Sequence, residues 1–487
     1  MRERRWTIVI GMIALSSAIL PSGAVFAQPA AGRPNLVLII SDDQAYGDFG
    51  FTGNRQVRTP NLDRLASLSA RYPNGYVPTS VCRPSLATLL TGLYPHQHGV
   101  HFNHPPPGLA AMRGMTAAEY RACRARAEGL IGRLPTLPHV LAEHGYACLQ
   151  TGKHWEGDFR NAGFTHGMTT GMPTDPPSYG TRRQNNGEWV AHGNGDAGLD
   201  VGRDTMKPIF DFIDAQGDRP FFIWYAPFLP HAPFDAPKRY VDLYAGRPDV
   251  PEHLVGYYAN ITRFDDTVGE LVRRVEARGL ARRTVFLFIV DNGFRPAPST
   301  SPKGGFARAD GRSKLSPYEN GMRTPVLLRW DGHVTPATHE RLVQAVDVVP
   351  TLLSAAGLSG AIPALPGLDL MPSATAREAL PDRPAFGEVY PNDAGTLGHP
   401  SRDLLMRWIR LGPWKLIVRQ PGAGRPAVEL FDLADDPAEQ RNLATDPQHA
   451  VRAEQMRARL DAWWNPGREK GDGANLPSEA RRVLRTN

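Results

Sequence analysis

Short, wholly apolar runs alternate along the chain with longer amphipathic stretches, the pattern of a layered α/β fold. Asn35-Leu36-Val37-Leu38-Ile39-Ile40 is apolar on both faces, as in a strand at the centre of a parallel sheet. Ala147 to Gln150, Pro220 to Tyr225, Thr284 to Val290 and Thr324 to Arg329 read as further strands. Leu86, Leu89 and Leu90 share one helical face, and Thr91-Gly92 ends it. Other helices are predicted at Leu137 to His144, Asp204 to Ala215, Pro251 to Arg278 and Val346 to Ala356. In the third of these, Asp265 and Asp266 read as part of a solvated face.

The intervening segments are less periodic. Residues 103–133 form an excursion in which the Pro-rich run His104 to Gly108 leads into an Ala- and Arg-rich helix. Residues 157–203 are rich in Gly, Asn and Pro and read as a long loop region shaping access to a site. Residues 294–317 form a basic loop with Lys303 and Lys314. Beyond Gly357, Phe386 to Tyr390, Leu404 to Leu411 and Trp414 to Val418 read as antiparallel strands, followed by a helix over Pro447 to Trp464. The predicted fold class is α/β, a large mixed, mostly parallel sheet flanked by helices over residues 34–357. A smaller α+β C-terminal subdomain occupies residues 358–487.

The N-terminus changes this picture. Arg2, Arg4 and Arg5 precede an apolar run from Thr7 to Leu20, and small residues lead to Ala27, so residues 1–27 read as a cleaved signal peptide. The mature chain is expected in the periplasm or outside the cell, with no membrane span. The first five residues carry three Arg and one Glu, so cleavage lowers the formal +6 by two charges. No Lys/Arg block with interleaved aromatics occurs, which argues against nucleic acid. The 487 residues are 41% apolar and 21% charged, with 48 Gly and 45 Pro, a globular composition with long ordered loops. Three cysteines leave at least one unpaired: Cys123 and Cys148 could form a disulfide, with Cys82 the odd thiol.

Candidate chemistry collects where predicted strands end. Asp42 and Asp43 follow the first, Lys153 and His154 the second, His231 the third, and Asp291 and Asn292 the fourth. In open α/β sheets the ligand crevice lies at that edge. Asp and Asn are hard oxygen ligands suited to Ca²⁺ or Mg²⁺, whereas Zn²⁺ would want more His and Cys. Singly, each group has an ordinary reading as turn, cap or solvated charge. Cys82 stands at a helix N-terminus, where a thiolate or a bound oxyanion is favoured; a lone cysteine there is otherwise a packed thiol.

Cys82-Arg83-Pro84-Ser85 followed by Leu90-Thr91-Gly92 resembles the signature of type I sulfatases in the alkaline phosphatase superfamily. The resemblance takes in the Asp-Asp strand end, Thr151-Gly152-Lys153, Pro230-His231-Ala232-Pro233, Asp291-Asn292-Gly293, Lys314 to Glu319, and Leu430 to Leu433. It implies a sulfuric ester hydrolase in which a maturation enzyme oxidises Cys82 to formylglycine, whose hydrate attacks sulfur. By the same resemblance Asp42, Asp43, Asp291 and Asn292, beside residue 82, hold Ca²⁺, or Mg²⁺ in some members. Lys153 and Lys314 bind sulfate oxygens, His231 protonates the leaving alcohol, and His154 assists the formylglycine hydroxyl. The expected substrate is a sulfate ester, on a carbohydrate by analogy with exported relatives.

Two departures stand out: Leu86 replaces the family's Arg four positions after the cysteine, and Lys153-His154-Trp155 replaces the usual Lys-x-His order. The alternatives are a phosphodiester or phosphonate ester hydrolase on the same fold, and a non-catalytic sulfated-glycan binding protein that keeps Cys82 as a thiol.

Overall fold

The central strand β1 (Asn35–Ser41) is buried along its whole length in this computed structural model, which describes residues 32–298, 310–420 and 427–468. Other strands follow in chain order: β2 (Ala70–Tyr76), β3 (Ala147–Gly152), β4 (His166–Gly167), β5 (Thr181–Arg183), β6 (Trp189–Ala191), β7 (Phe221–Ala226) and β8 (Thr284–Val290). Then come β9 (Arg323–Trp330), β10 (Ala337–Thr338), β11 (Val343–Gln344), β12 (Ala385–Val389), β13 (Met406–Leu411), β14 (Trp414–Arg419) and β15 (Val428–Asp432).

The large sheet has the order β10-β2-β9-β8-β1-β7-β3-β4, with β11 also paired to β2. β1 lies parallel to both β7 and β8, with Ile39 opposite Tyr225 and Ser41 opposite Val290, and β3 continues parallel to β7. Four parallel strands therefore deliver their C-terminal ends to one edge. β9 runs antiparallel to β8 and to β2, which makes the sheet mixed.

Both faces are covered. Leu36, Leu38 and Ile40 join one apolar cluster with Leu86, Leu89 and Leu90 of the Cys82–Thr91 helix. Val37 and Ile39 join the other with Phe264, Val268 and Leu271 of the Glu252–Ala277 helix. β12 to β15 form a separate antiparallel sheet, with Met456 and Leu460 of the Ala450–Trp463 helix on one face. From that sheet Trp408, Ile417 and Phe431 enter the same apolar cluster as Leu36.

The structure adds to and corrects the sequence reading. β2, a segment the sequence reading did not assign, is a strand because β9 and the short β10 and β11 pair with it, and its register shifts between Tyr72 and Gly75. Residues 157–203 contain the β5/β6 hairpin, with Thr181 opposite Ala191, together with β4 and 3-10 turns. Cys123 and Cys148 are free and buried, and donate instead to the Pro106 and Pro138 carbonyls at 3.2 and 3.4 Å.

Asp265 is buried rather than solvated. Its carboxylate accepts from the Asn61 and Leu62 backbone N–H groups at 3.0 and 2.7 Å, at the start of helix α1 (Pro60–Ser67). The expected signal peptide and Lys303 lie outside the described residues. No helix among the described residues is long and apolar enough to cross a membrane.

Candidate active site

Helix α2 (Cys82–Thr91) begins at the cysteine and ends on Gly92, in the left-handed region at φ 72°. Cys82 is 1% exposed and lies against the strand-end cluster. Its Sγ accepts from Lys314 Nζ at 3.1 Å, and Lys314 also reaches both Asp43 oxygens at 2.7 and 2.8 Å. Lys153 Nζ donates to Asp42 Oδ1 at 2.8 Å. His231 Nε2 stands 3.3 Å from Asp43 Oδ2, while its Nδ1 bonds the Ala232 carbonyl at 2.6 Å. Asp42, Asp43, Cys82 and His231 can direct one ligand atom each into a region under 4.8 Å across.

The backbone fixes this convergence. Asp42 N–H donates to the Leu229 carbonyl at 3.0 Å, and Asp291 N–H to the Ser41 carbonyl at 2.9 Å. Asp43 holds a left-handed φ of 62°, an unusual conformation outside glycine, and its N–H donates to Asp291 Oδ1 at 3.0 Å. Gly152 leads into Lys153 at φ 70°, where a Cβ would sit 1.9 Å from the Ala226 carbonyl oxygen. Gly293, after Asn292, faces the Asn320 carbonyl oxygen just as closely.

Three buried oxygens, Asp42 Oδ2, Asp291 Oδ2 and Asn292 Oδ1, have no hydrogen-bond donor among the described residues. Buried acceptors are ordinarily satisfied, so three together mark a place for a cation. The donor set therefore fits a hard divalent ion.

Electrostatics agree. Burial pushes the Asp42 carboxyl well above its usual range, against the pull of Lys153, and raises Asp291 as well. Burial opposes the charge on Asp43 too, but Lys314, His231 and Lys153 outweigh it and hold that carboxyl at about 2. Both ammonium groups resist burial because the carboxylates raise their pKa values. Burial drives His231 well below its ordinary value, with Asp43 pulling the other way. The Cys82 thiol is pushed by burial up to about 12 despite Lys153 and Lys314, so the helix N-terminus does not yield the thiolate the sequence suggested.

His154 and Leu86, both singled out in the sequence, have the following surroundings. The His154 ring packs edge-on against Phe164; burial lowers its pKa to about 4, and the charges acting on it are Glu156, Asp158 and Arg83 rather than the cluster around Cys82. Leu86 is packed in the core, and Arg83 does not replace the family's Arg: its guanidinium bonds Glu156 at 2.9 and 2.7 Å and lies over Phe102. Sequence reasoning missed Arg203 and Asn260, which bond the His231 carbonyl at 2.7 and 3.3 Å and hold its loop. No motif ties either residue to position 231.

Comparison with known proteins decides the family. The sulfatase family model matches residues 34–358, and a model of the N-sulphoglucosamine sulphohydrolase C-terminal region matches residues 313–465. The chain belongs to the sulfatase family.

The chain is 28% identical to arylsulfatase A of Homo sapiens over 468 residues, covering 87% of this chain and 85% of that protein. It is 29% identical to N-acetylgalactosamine-6-sulfatase of Homo sapiens over 401 residues, covering 76% and 72%. The solved structure of Ps i-CgsB shares the fold at a TM-score of 0.67 and 22% identity, covering 93% of this chain and 98% of that one. This sulfatase keeps the α/β sheet with its small antiparallel sheet, and as a family member it is a sulfuric ester hydrolase.

Proposed function

We propose that this sulfatase is exported and cleaves sulfate esters of a sulfated carbohydrate, using formylglycine made from Cys82 and a divalent cation, Ca²⁺ or Mg²⁺. One observation carries the reading: three unsatisfied oxygens and two lysines converge beside Cys82. The neutral, buried thiol is itself a poor nucleophile. As an aldehyde hydrate, residue 82 supplies a hydroxyl that attacks sulfur and a second whose deprotonation expels sulfate and restores the aldehyde.

Asp42, Asp43, Asp291 and Asn292 would hold the cation, which when bound would supply positive charge to stabilise the attacking alkoxide and the sulfate oxygens. Three carboxylates and two ammonium groups sum to one negative charge; a divalent ion makes the site net positive, as a sulfate ester requires. Lys153 and Lys314 then bind sulfate oxygens. The Ala232 carbonyl takes the Nδ1–H of His231, so its Nε2 carries a proton to give the leaving alcohol only in the imidazolium form, which the Asp43 carboxylate favours against burial. His154 is the group assigned to assist the formylglycine hydroxyl; its buried ring packs edge-on against Phe164.

The test is mass spectrometry of the Cys82 peptide from the exported chain, beside turnover of an aryl sulfate, a sulfated sugar and an aryl phosphodiester. Formylglycine with sulfatase turnover supports the reading. Turnover with only unmodified thiol refutes the nucleophile. Thiol without turnover supports a sulfated-glycan binding protein, and faster phosphodiester cleavage supports the phosphorus-directed alternative.

A further inference from the structure

Beside the Lys153 end of β3 lies a second cluster that the reaction above does not use. The rings of His104, Trp155 and His192 meet edge to face, with centroids 5.7 Å apart for His104–Trp155 and His104–His192 and 5.9 Å for Trp155–His192. His104 and Trp155 are each 4% exposed. Arg124 braces the cluster: its guanidinium lies over Trp155 and donates to the Asn103, Trp155 and Gly193 carbonyls. Arg182 comes from the β5/β6 hairpin, opposite Val190, on the strand pair that ends at Ala191 just before His192. Its guanidinium rests over the Tyr120 ring, and the Tyr120 hydroxyl donates to the His192 carbonyl at 2.9 Å.

The hydrogen-bond inventory of this cluster is one-sided. His104 Nδ1, His192 Nδ1, Trp155 Nε1, Arg124 Nε, and Arg182 Nε and Nη1 are buried without a hydrogen-bond partner among the described residues. All are nitrogens, and all can donate. Arg124 has Glu128 at 3.8 Å, but Glu128 is held closer by Arg121 at 2.6 Å, and Arg182 has no ion pair among the described residues. The charges acting on the two imidazoles are positive: Arg182 and Arg124 act on both, Arg83 also on His104, and Lys153 also on His192. Arg182 Nη2 reaches the Gln184 side-chain oxygen at 3.5 Å, but unpaired donors and a guanidinium without a carboxylate partner are costly to bury unless an anion answers them. The polarity is opposite to that of the cation site, where the unsatisfied atoms are oxygens.

We infer that Arg182, His104, His192 and the Trp155 N–H form a subsite for a second oxyanion, sulfate or carboxylate, on the substrate whose sulfate ester lies at Cys82. The inference rests on the sulfatase reading for the placement of the first sulfate. It narrows the substrate class to polyanionic saccharides: sugars bearing two sulfates, or a sulfated sugar joined to a uronate. Guanidinium and indole N–H recognise planar or tetrahedral oxyanions through charge-assisted bonds.

Equilibrium binding to the full chain carrying Cys82→Ser tests this without turnover. Three probes are titrated: a monosaccharide 6-sulfate, its disulfated analogue, and a disaccharide of the same 6-sulfated sugar with a uronate. The unsubstituted subsite should prefer at least one dianionic probe by 10-fold or more, and the preferred probe separates sulfate from carboxylate. In Arg182→Gln, and independently in His192→Asn, that preference should fall to about 2-fold or less. Equal binding of all three probes, binding of none, or a preference that survives both substitutions overturns the subsite. Failure of the sulfatase reading shows separately, as absent turnover by the chain with its own Cys82.

Discussion

At the scale of single residues the site depends on a balance of charge that burial makes steep. Asp291 is the hinge of that balance: one oxygen accepts from the Asp43 and Asn292 backbone N–H groups at 3.0 and 2.6 Å, and the other is unsatisfied. Asp291→Asn keeps the shape and one acceptor but removes a charge from the cation site. Turnover should fall by about 100-fold or more, since electrostatic groups of this kind contribute several kcal/mol to transition-state stabilisation. Bound Ca²⁺ or Mg²⁺, measured by elemental analysis of the purified chain, should fall with it, while the circular dichroism spectrum stays unchanged. A folded variant that is fully active without metal would remove Asp291 from the proposed role. The sequence made these residues legible because each follows a wholly apolar strand. It did not show the packing of His154, since β3 runs on to Gly152 and the ring meets Phe164 from the turn that follows.

At the scale of elements, the buried Asp265 joins the Glu252–Ala277 helix to α1. Thr59, at the N-cap of α1, makes no side-chain cap, so Asp265 satisfies the orphan N–H groups from another helix. Asp265→Ala should cost about 2 kcal/mol, the penalty for leaving buried donors unsatisfied, read as a lower denaturation midpoint at unchanged slope. Burial raises the Asp265 pKa to about 7, against the pull of its Leu62 and Asn61 hydrogen bonds. Its contribution from protonation is therefore full below the unfolded carboxylate value of about 4 and is lost as pH rises through 7. The stability gap between wild type and Asp265→Ala should narrow from pH 4 to pH 8; a constant or widening gap would contradict this.

The same residue shows where pattern reading stops. Two adjacent aspartates in a long helix look solvated, and only the arrival of α1 makes one of them a cap. β2 was hidden for a related reason, because Arg71, Pro73 and Asn74 mask a strand that exists through its partners. The strands around β1 were legible because burial on both faces leaves no ambiguity of period.

For the whole molecule, the small antiparallel sheet does more than extend the core. Lys415 on β14 is fully buried and meets Glu319 Oε1 at 3.0 Å and Glu439 Oε1 at 2.9 Å. Glu439 in turn accepts from the Glu319 backbone N–H at 2.7 Å, and Tyr76 of β2 donates to the other Glu319 oxygen at 2.6 Å. Glu319 closes the segment that begins with Lys314, so this network ties the position of the Lys314 ammonium group to the C-terminal sheet. The two sheets thereby act as one support for the site, which is why the apolar cluster runs through both. Lys415→Met removes the cation nearest both buried glutamates, leaving only Arg410 at 3.6 Å from Glu319 among the described residues, and should destabilise the chain by about 3–5 kcal/mol, the cost of leaving buried charge unpaired. The quadruple change Lys415→Met, Arg410→Met, Glu319→Gln, Glu439→Gln should recover most of that stability, since Arg410 also pairs with Glu319 and no charge is then stranded. If Lys314 is positioned through this network, the quadruple variant will fold yet bind sulfate esters with a raised KM. Full recovery of KM together with stability would confine the network to holding the fold.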